Sequence, residues 1–314
     1  MRARCAAALA ALLLTGCAAR TVVHQNELPN AATAPRSAPV APFYDEQLAW
    51  YGSVGLMDGP TLLYCVYLNE PGGDFWDDAA VAQTRQSLTV AAGWLEAQAA
   101  DWGAEDFSLI YGEELSTTVT VNHRFSGEDG DDSFLTQLDT LCARLNTETL
   151  RDTYGADGIG FLFFLPAAGA SCTYPHYAED GMWYTNEYSL LYAEDLYSDA
   201  GTLESPAVYA HEILHLFGAP DLYEGSADYF VTDELADYVN AQWPDAIMVD
   251  TYNEAGGIDY DRIDKSICPL TAFRLGLCDS FEGLARFPAA AQLPAGVFAD
   301  SAEAISGLPV TEAV

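Results

Sequence analysis

The distribution of apolar and polar positions predicts an alternation of buried strands and amphipathic helices. Thr61-Leu-Leu-Tyr-Cys-Val-Tyr-Leu68 is an unbroken apolar run of strand length, the pattern of a strand covered on both faces. Ala79 to Trp102 then carries apolar residues at helical spacing over about six turns. Phe107 to Ile110 and Thr117 to Val121 are short aromatic or β-branched runs that read as strands. Ser133 to Tyr154 reads as a second amphipathic helix, Gly160 to Leu165 as a strongly buried strand and Tyr188 to Tyr192 as a short strand. A further helix begins at Pro206, with Ser205 as N-cap and an apolar stripe of Val208, Ile213, Leu214 and Phe217; Gly218 suits its exit. The fold class is α+β, with no internal repeat.

The two ends of the chain read differently. Met1-Arg-Ala-Arg4 is basic and is followed by an apolar run, Cys5 to Leu14, too short for a membrane span, so residues 1–16 are expected to be a signal peptide. Leu14-Thr-Gly-Cys17 resembles the bacterial lipobox, which implies lipidation of Cys17 and attachment to a cell-surface or periplasm-facing membrane; ordinary secretion is the alternative. Residues 17–42, rich in Ala, Pro, Asn and Ser, read as a flexible tether. Residues 43–279 are assigned to a single domain, and 280–314 to an Ala/Pro/Gly-rich tail expected to pack loosely.

Forty-seven acidic residues against 12 basic ones give a formal charge of −35, which excludes nucleic acid as a partner because phosphate binding needs a basic surface. Anionic membranes would also repel the chain, so any attachment must come from the lipid. Of seven cysteines, five remain after Cys5 and Cys17 are set aside, and no disulfide framework is expected from them. Cys268 and Cys278 in particular are separated by a stretch that looks helical and would hold them apart.

The chemistry concentrates in Ala210-His-Glu-Ile-Leu-His-Leu-Phe-Gly-Ala-Pro-Asp221. Histidines four apart fall on one helical face, so His211 and His215 can reach one zinc ion, with Glu212 beside it as a base. The turn at Gly218 and Pro220 brings round Asp221 as a third ligand and leaves a fourth position for water.

These residues resemble the metzincin-like branch of the HExxH zinc peptidases, in the variant pattern HExxHxxGxxD. The match covers His211, Glu212, His215 and Gly218, with Asp221 where a third histidine is more usual. Ala246-Ile-Met-Val-Asp250 resembles the family's Met-turn, which implies a place beneath the metal for Met248. A tyrosine that leans toward the metal would be Tyr252, four residues on rather than two. The resemblance implies a zincin-like twisted mixed sheet with long backing helices, an active-site helix and a mostly helical C-terminal subdomain, within which Asp264 to Leu277 would be the helix after the Met-turn. It also implies that Tyr188 to Tyr192 is the edge strand bordering the cleft. The implied activity is zinc-dependent cleavage of protein or peptide substrates by a monomer, with Glu212 as general base.

Alternatives stay open on several points. Glu234, nineteen residues after His215, has the spacing of a gluzincin-like third ligand, although the segment Thr232 to Tyr238 also reads as a helix with a solvated acidic face. The acidic stretch Glu128 to Asp132 suits calcium but lacks the full spacing of an EF-hand loop. The loop 170–187, with Tyr174, Tyr177, Trp183 and Tyr184, lines a cleft or simply packs over the sheet. His24, His123 and His176 read as structural or solvent-facing. A catalytically inactive surface lipoprotein that binds peptide or glycan is the alternative to an enzyme.

Overall fold

The computed structural model describes residues 54–73, 75–121, 138, 140–142, 144–174, 187–228, 230–253 and 255–291. The signal peptide, the tether with Cys17, the three lone histidines, Glu128 to Asp132, and Tyr177, Trp183 and Tyr184 lie outside them.

The protein is a mixed α/β structure built on a mostly parallel sheet. Strands β1 (Pro60–Asn69), β2 (Ser108–Ile110), β3 (Ser116–Thr120), β4 (Gly158–Gly169), β5 (Cys172–Tyr174) and β6 (Glu187–Asp195) are ordered β2-β1-β4-β6-β5, with β3 also paired to β1. Every pairing is parallel except that of β5 with β6. The central strands are apolar on both sides because both sheet faces are covered. Along β1, Leu63, Cys65 and Tyr67 enter one apolar cluster while Leu62, Tyr64, Val66 and Leu68 enter the other. β4 follows suit, with Leu162 and Phe164 on the first face and Phe161 and Phe163 on the second. Pro166, which has no N–H to give the ladder, falls where the β4–β6 register shifts, between Leu165 and Ala168.

Two helices cover the first face. Helix α1 (Asp78–Asp101) is started by Asp77, whose carboxylate accepts from the Ala80 N–H at 2.8 Å. It buries Leu88, Ala91, Ala92 and Leu95 against Ile213 and Leu214 of helix α3 (Pro206–Leu216) in the same cluster. The second face packs on Leu115, Leu138 and Cys142 and on the half-buried Leu150 and Tyr154 of helix α2 (Thr147–Tyr154). Among the described residues no helix is long and apolar enough to cross a membrane.

Several expectations change. The single helix expected over 133–154 is broken: Asn146 caps a new helix, its side chain accepting from the Thr149 N–H at 3.0 Å, so α1 is the one long helix among the described residues. The segment Tyr188–Tyr192 is not an edge; it lies inside β6, and β5 is the outermost described strand on that side. Asp264–Leu277 is helical only over α5 (Pro269–Arg274), because Pro269, with a fixed φ and no N–H, suits the first turn of a helix and not its interior. Helix α4 (Asp233–Gln242) forms as expected from Thr232. The C-terminal helices form no separate core, since Leu235, Val239, Phe273, Phe281 and Phe287 join the cluster under α1 and α3. The expected loose tail therefore packs as far as Ala291, with Ala290 and Ala291 buried. The five described cysteines are all free thiols.

One close approach fixes how the chain enters the sheet. A Cβ on Gly158, at the start of β4, would lie 1.9 Å from the carbonyl oxygen of Val54, a backbone atom that cannot swing aside. Gly158→Ala is expected to destabilise the fold by about 3 kcal/mol or more, read as a lowered urea midpoint at unchanged slope; a loss below about 1 kcal/mol would mean that the two segments separate without penalty.

Candidate metal centre

Helix α3 presents the motif. Ser205 caps it, its Oγ accepting from the Val208 N–H at 3.0 Å, and Pro206 opens the first turn. Four residues of helical rise bring His211 and His215 to one face, with ring centroids 4.7 Å apart. Gly218 adopts φ +92, a conformation that suits glycine, and turns the chain back so that Asp221 follows.

The three side chains converge. His211 Nε2 and His215 Nε2 are 3.1 Å apart and lie 3.1 and 3.3 Å from Asp221 Oδ1. A tetrahedral ion with ligand bonds of about 2.1 Å separates its donors by about 3.4 Å, so this triangle has the size of one face of such a site. The tautomers follow from the other ring nitrogens: a carbonyl oxygen can only accept, so His211 Nδ1–H donates to Ile247 at 3.1 Å and His215 Nδ1–H to Ala219 at 2.7 Å. Both Nε2 lone pairs are thereby aimed inward, where only a proton or a cation removes their repulsion. Asp221 Oδ1 is buried and accepts no hydrogen bond of acceptable geometry. An orphaned carboxylate oxygen facing two imidazole lone pairs fits a divalent cation, and His211, His215 and Asp221 could hold one.

The electrostatics agree. Burial would raise the Asp221 pKa, but the two imidazoles outweigh it and hold the carboxylate ionised, well below its ordinary range. Burial would lower that of His215, yet the Asp221 charge raises it to about 10. The field that retains a proton here without metal is the field that attracts a metal ion, so the two compete for one place.

Glu212 lies on the same turn, buried, its pKa raised by burial against the lowering effect of both histidines. Thr173 of β5 holds it: the Thr173 hydroxyl is 2.8 Å from both Glu212 Oε2 and the Glu212 carbonyl oxygen, and 2.7 Å from Ser189 Oγ. The loop after Asp221 is clamped too. Asp228 accepts from the Asp221 N–H at 2.8 Å, and Tyr223 donates its hydroxyl to Asp221 Oδ2 at 2.8 Å. Burial first, then the Asp221 charge, lifts the Asp228 carboxyl to about 6.

The other sequence candidates fall as follows. Met248 is fully buried in the turn 246–249, whose Ile247 carbonyl takes the His211 ring and whose Met248 carbonyl takes the Leu222 N–H at 2.9 Å. Tyr252 has a different partner from the one expected: Asp250 accepts its N–H, and its hydroxyl goes to Asp195 at 3.4 Å rather than to the cluster. Glu234 is no third ligand here; it is exposed and paired with Arg286 at 2.6 Å. Thr173, Tyr223 and Asp228 carried no signal in the motif. The one available hint for Tyr223 was its position two residues beyond Asp221 in a tight loop.

Beneath the first turn of α3, Glu204 is buried, its Oε1 accepting from the Ser205 N–H at 2.8 Å. Burial, reinforced by the charges of Asp195 and Glu212, outweighs that bond and raises its pKa from 4.5 to about 8. Below pH 4.5 the group is protonated folded and unfolded; between 4.5 and about 8 only the unfolded chain releases the proton, so stability falls as pH rises through that window. Glu204→Gln removes the titration. Its stability relative to the unsubstituted protein should rise by a few kcal/mol from pH 5 to pH 8 and level off above. Urea denaturation of both proteins at pH 5, 7 and 9 measures this, and a pH-independent difference would show that Glu204 is ionised throughout.

Comparisons with protein-family models, with curated proteins and with solved structures find no match, so the likeness to HExxH peptidases rests on these residues and their geometry.

Proposed function

We propose that this protein is a zinc-dependent endopeptidase, held at a bacterial cell surface by a lipid on Cys17 and acting as a monomer on protein or peptide substrates. The observation that carries this reading is the convergence of His211 Nε2, His215 Nε2 and the orphaned Asp221 Oδ1 within 3.3 Å of one another, one residue away from a buried carboxylic acid on the same helix. Zinc supplies a Lewis acid that activates water at neutral pH. Glu212 accepts the proton of the attacking water and passes it to the leaving amine. Burial raises its proton affinity above that of an exposed carboxylate, which suits a group that must both take and give a proton. Thr173 engages Oε2 and fixes the carboxyl rotamer, leaving the other oxygen to carry the proton.

Among the described residues β5 is the outermost strand on its side of the sheet, which supports an extended-peptide substrate. An added strand would gain main-chain hydrogen bonds there, next to the strand residue that holds the base. The charge of −35 favours cationic segments in the first encounter and disfavours nucleic acid.

Purified protein incubated with a peptide library, with and without a zinc chelator, tests the reading; zinc binding without cleavage would favour the inactive peptide- or glycan-binding alternative. Asp221→Ala should abolish stoichiometric zinc, whereas Glu212→Gln should retain zinc and lose about 10²–10⁴-fold in kcat; a Glu212→Gln protein that still cleaves would rule out this base. Thr173→Val should lower kcat by about 10–100-fold at unchanged zinc content, with Thr173→Ser restoring most of it. Equal activity of the Val and Ser variants would show that the hydroxyl does not serve the base.

A further inference from the structure

We infer that Tyr223 is a positioning residue of the centre: its hydroxyl, bonded to Asp221 Oδ2, confines Asp221 to a single oxygen, Oδ1, toward a bound metal. The inference rests on the reading of the cluster as a metal centre and assigns to it a residue outside the motif. The two oxygens of Asp221 have separate duties. Oδ1 faces the histidines at 3.1 and 3.3 Å, while Oδ2 accepts from Tyr223 at 2.8 Å. A carboxylate that turned both oxygens to the ion would occupy an additional coordination position, the one needed by water and substrate. The Tyr223 hydrogen bond opposes that rotation and holds Oδ1 in place beside the two histidines.

The backbone of this loop does not depend on the hydroxyl. Asp228 takes the Asp221 N–H at 2.8 Å, Ser226 Oγ takes the Asp228 N–H at 3.1 Å, and the Tyr223 carbonyl takes the Ser226 N–H at 3.1 Å. Residues 221–228 are therefore shaped by main-chain and short side-chain bonds, which frees the phenol to act on Asp221. The tyrosine implied by the family resemblance, Tyr252, gives its hydroxyl to Asp195. Tyr223 is thus the described tyrosine whose hydroxyl reaches a member of the cluster.

The test uses the full chain carrying Tyr223→Phe. Zinc affinity measured against a chromophoric chelator should weaken by about 10–100-fold. The visible bands of the cobalt(II)-substituted protein should lose intensity, as they do when coordination rises from four to five. An unchanged zinc dissociation constant with an unchanged cobalt spectrum would overturn the inference. Amide hydrogen exchange of residues 221–228 in the metal-free Tyr223→Phe protein should match that of the unsubstituted protein, because Asp228 and Ser226 hold the loop backbone; faster exchange there would show that the phenol acts through the fold instead and would overturn the inference too. Failure of the metal reading itself looks different: the unsubstituted protein would then bind no more zinc than the Asp221→Ala variant.

Discussion

A buried carboxylate oxygen with no hydrogen-bond donor of its own, set within 3.3 Å of two imidazole nitrogens, is the constraint around which this molecule is arranged. Left alone, such an oxygen would cost several kcal/mol. Holding it there requires a helix to set the imidazoles on one face, a glycine turn to return the chain, and a loop that fixes the carboxylate from behind. Each is present. Helix α3 spaces His211 and His215, Gly218 reverses direction, and Asp228 with Tyr223 clamps the backbone and the second oxygen of Asp221.

The surrounding charge sharpens the point. Glu204, Glu212 and Asp221 are all buried, and burial pushes each of them toward its neutral form. Only Asp221 resists, because the imidazoles stabilise its charge; Glu212 keeps a raised proton affinity although the same imidazoles oppose it. The three carboxyls thus have different tasks despite similar burial. One remains an anion that a cation would bind, one has the raised proton affinity that the proposed reading assigns to a general base, and one is held toward its protonated form beneath the helix. On the proposed reading, the positive charge that balances this region is the metal ion, and the acidic excess of the chain is less a substrate code than a surface property.

Much of this was legible in the chain and some was not, for a physical reason. Helical spacing, the N-cap at Ser205 and the exit at Gly218 are local, so His211, Glu212, His215 and Asp221 could be placed on one turn of structure from sequence alone. The runs Thr61–Leu68 and Gly160–Leu165 declared themselves as strands because both faces are apolar. Pairing partners are not local. β5 is too short and too polar to stand out, yet it displaces β6 from the edge and carries Thr173 to Glu212. The break at Asn146 and the packing of Phe281 and Phe287 likewise depend on capping and tertiary contact rather than on periodicity. Tyr252 was misplaced for the same reason: the Asp250 carboxylate turns the chain at that point, and Asp195 is reached only through the fold.

The two histidines illustrate the same division within the site. His215 is oriented by the Ala219 carbonyl, four residues on, so its tautomer is set by the turn that ends its own helix. His211 is oriented by the Ile247 carbonyl, thirty-six residues away. That carbonyl is held in place at a distance. Ile247 donates to Ser266 at 3.0 Å and Ser266 to Asp245 at 3.0 Å, while the strand of chain 265–267 is gripped by α1, through Trp94 on Lys265, Trp102 on Ile267 and Gln98 on the Ile267 N–H. A metal ligand must have its second nitrogen committed before its first can be aimed. Half of this centre is therefore assembled by a single helix and its turn, and the other half exists only once the long helix, the C-terminal segment and the Met248 turn have packed together. On the proposed reading, metal affinity and global folding should consequently be coupled through His211 far more strongly than through His215.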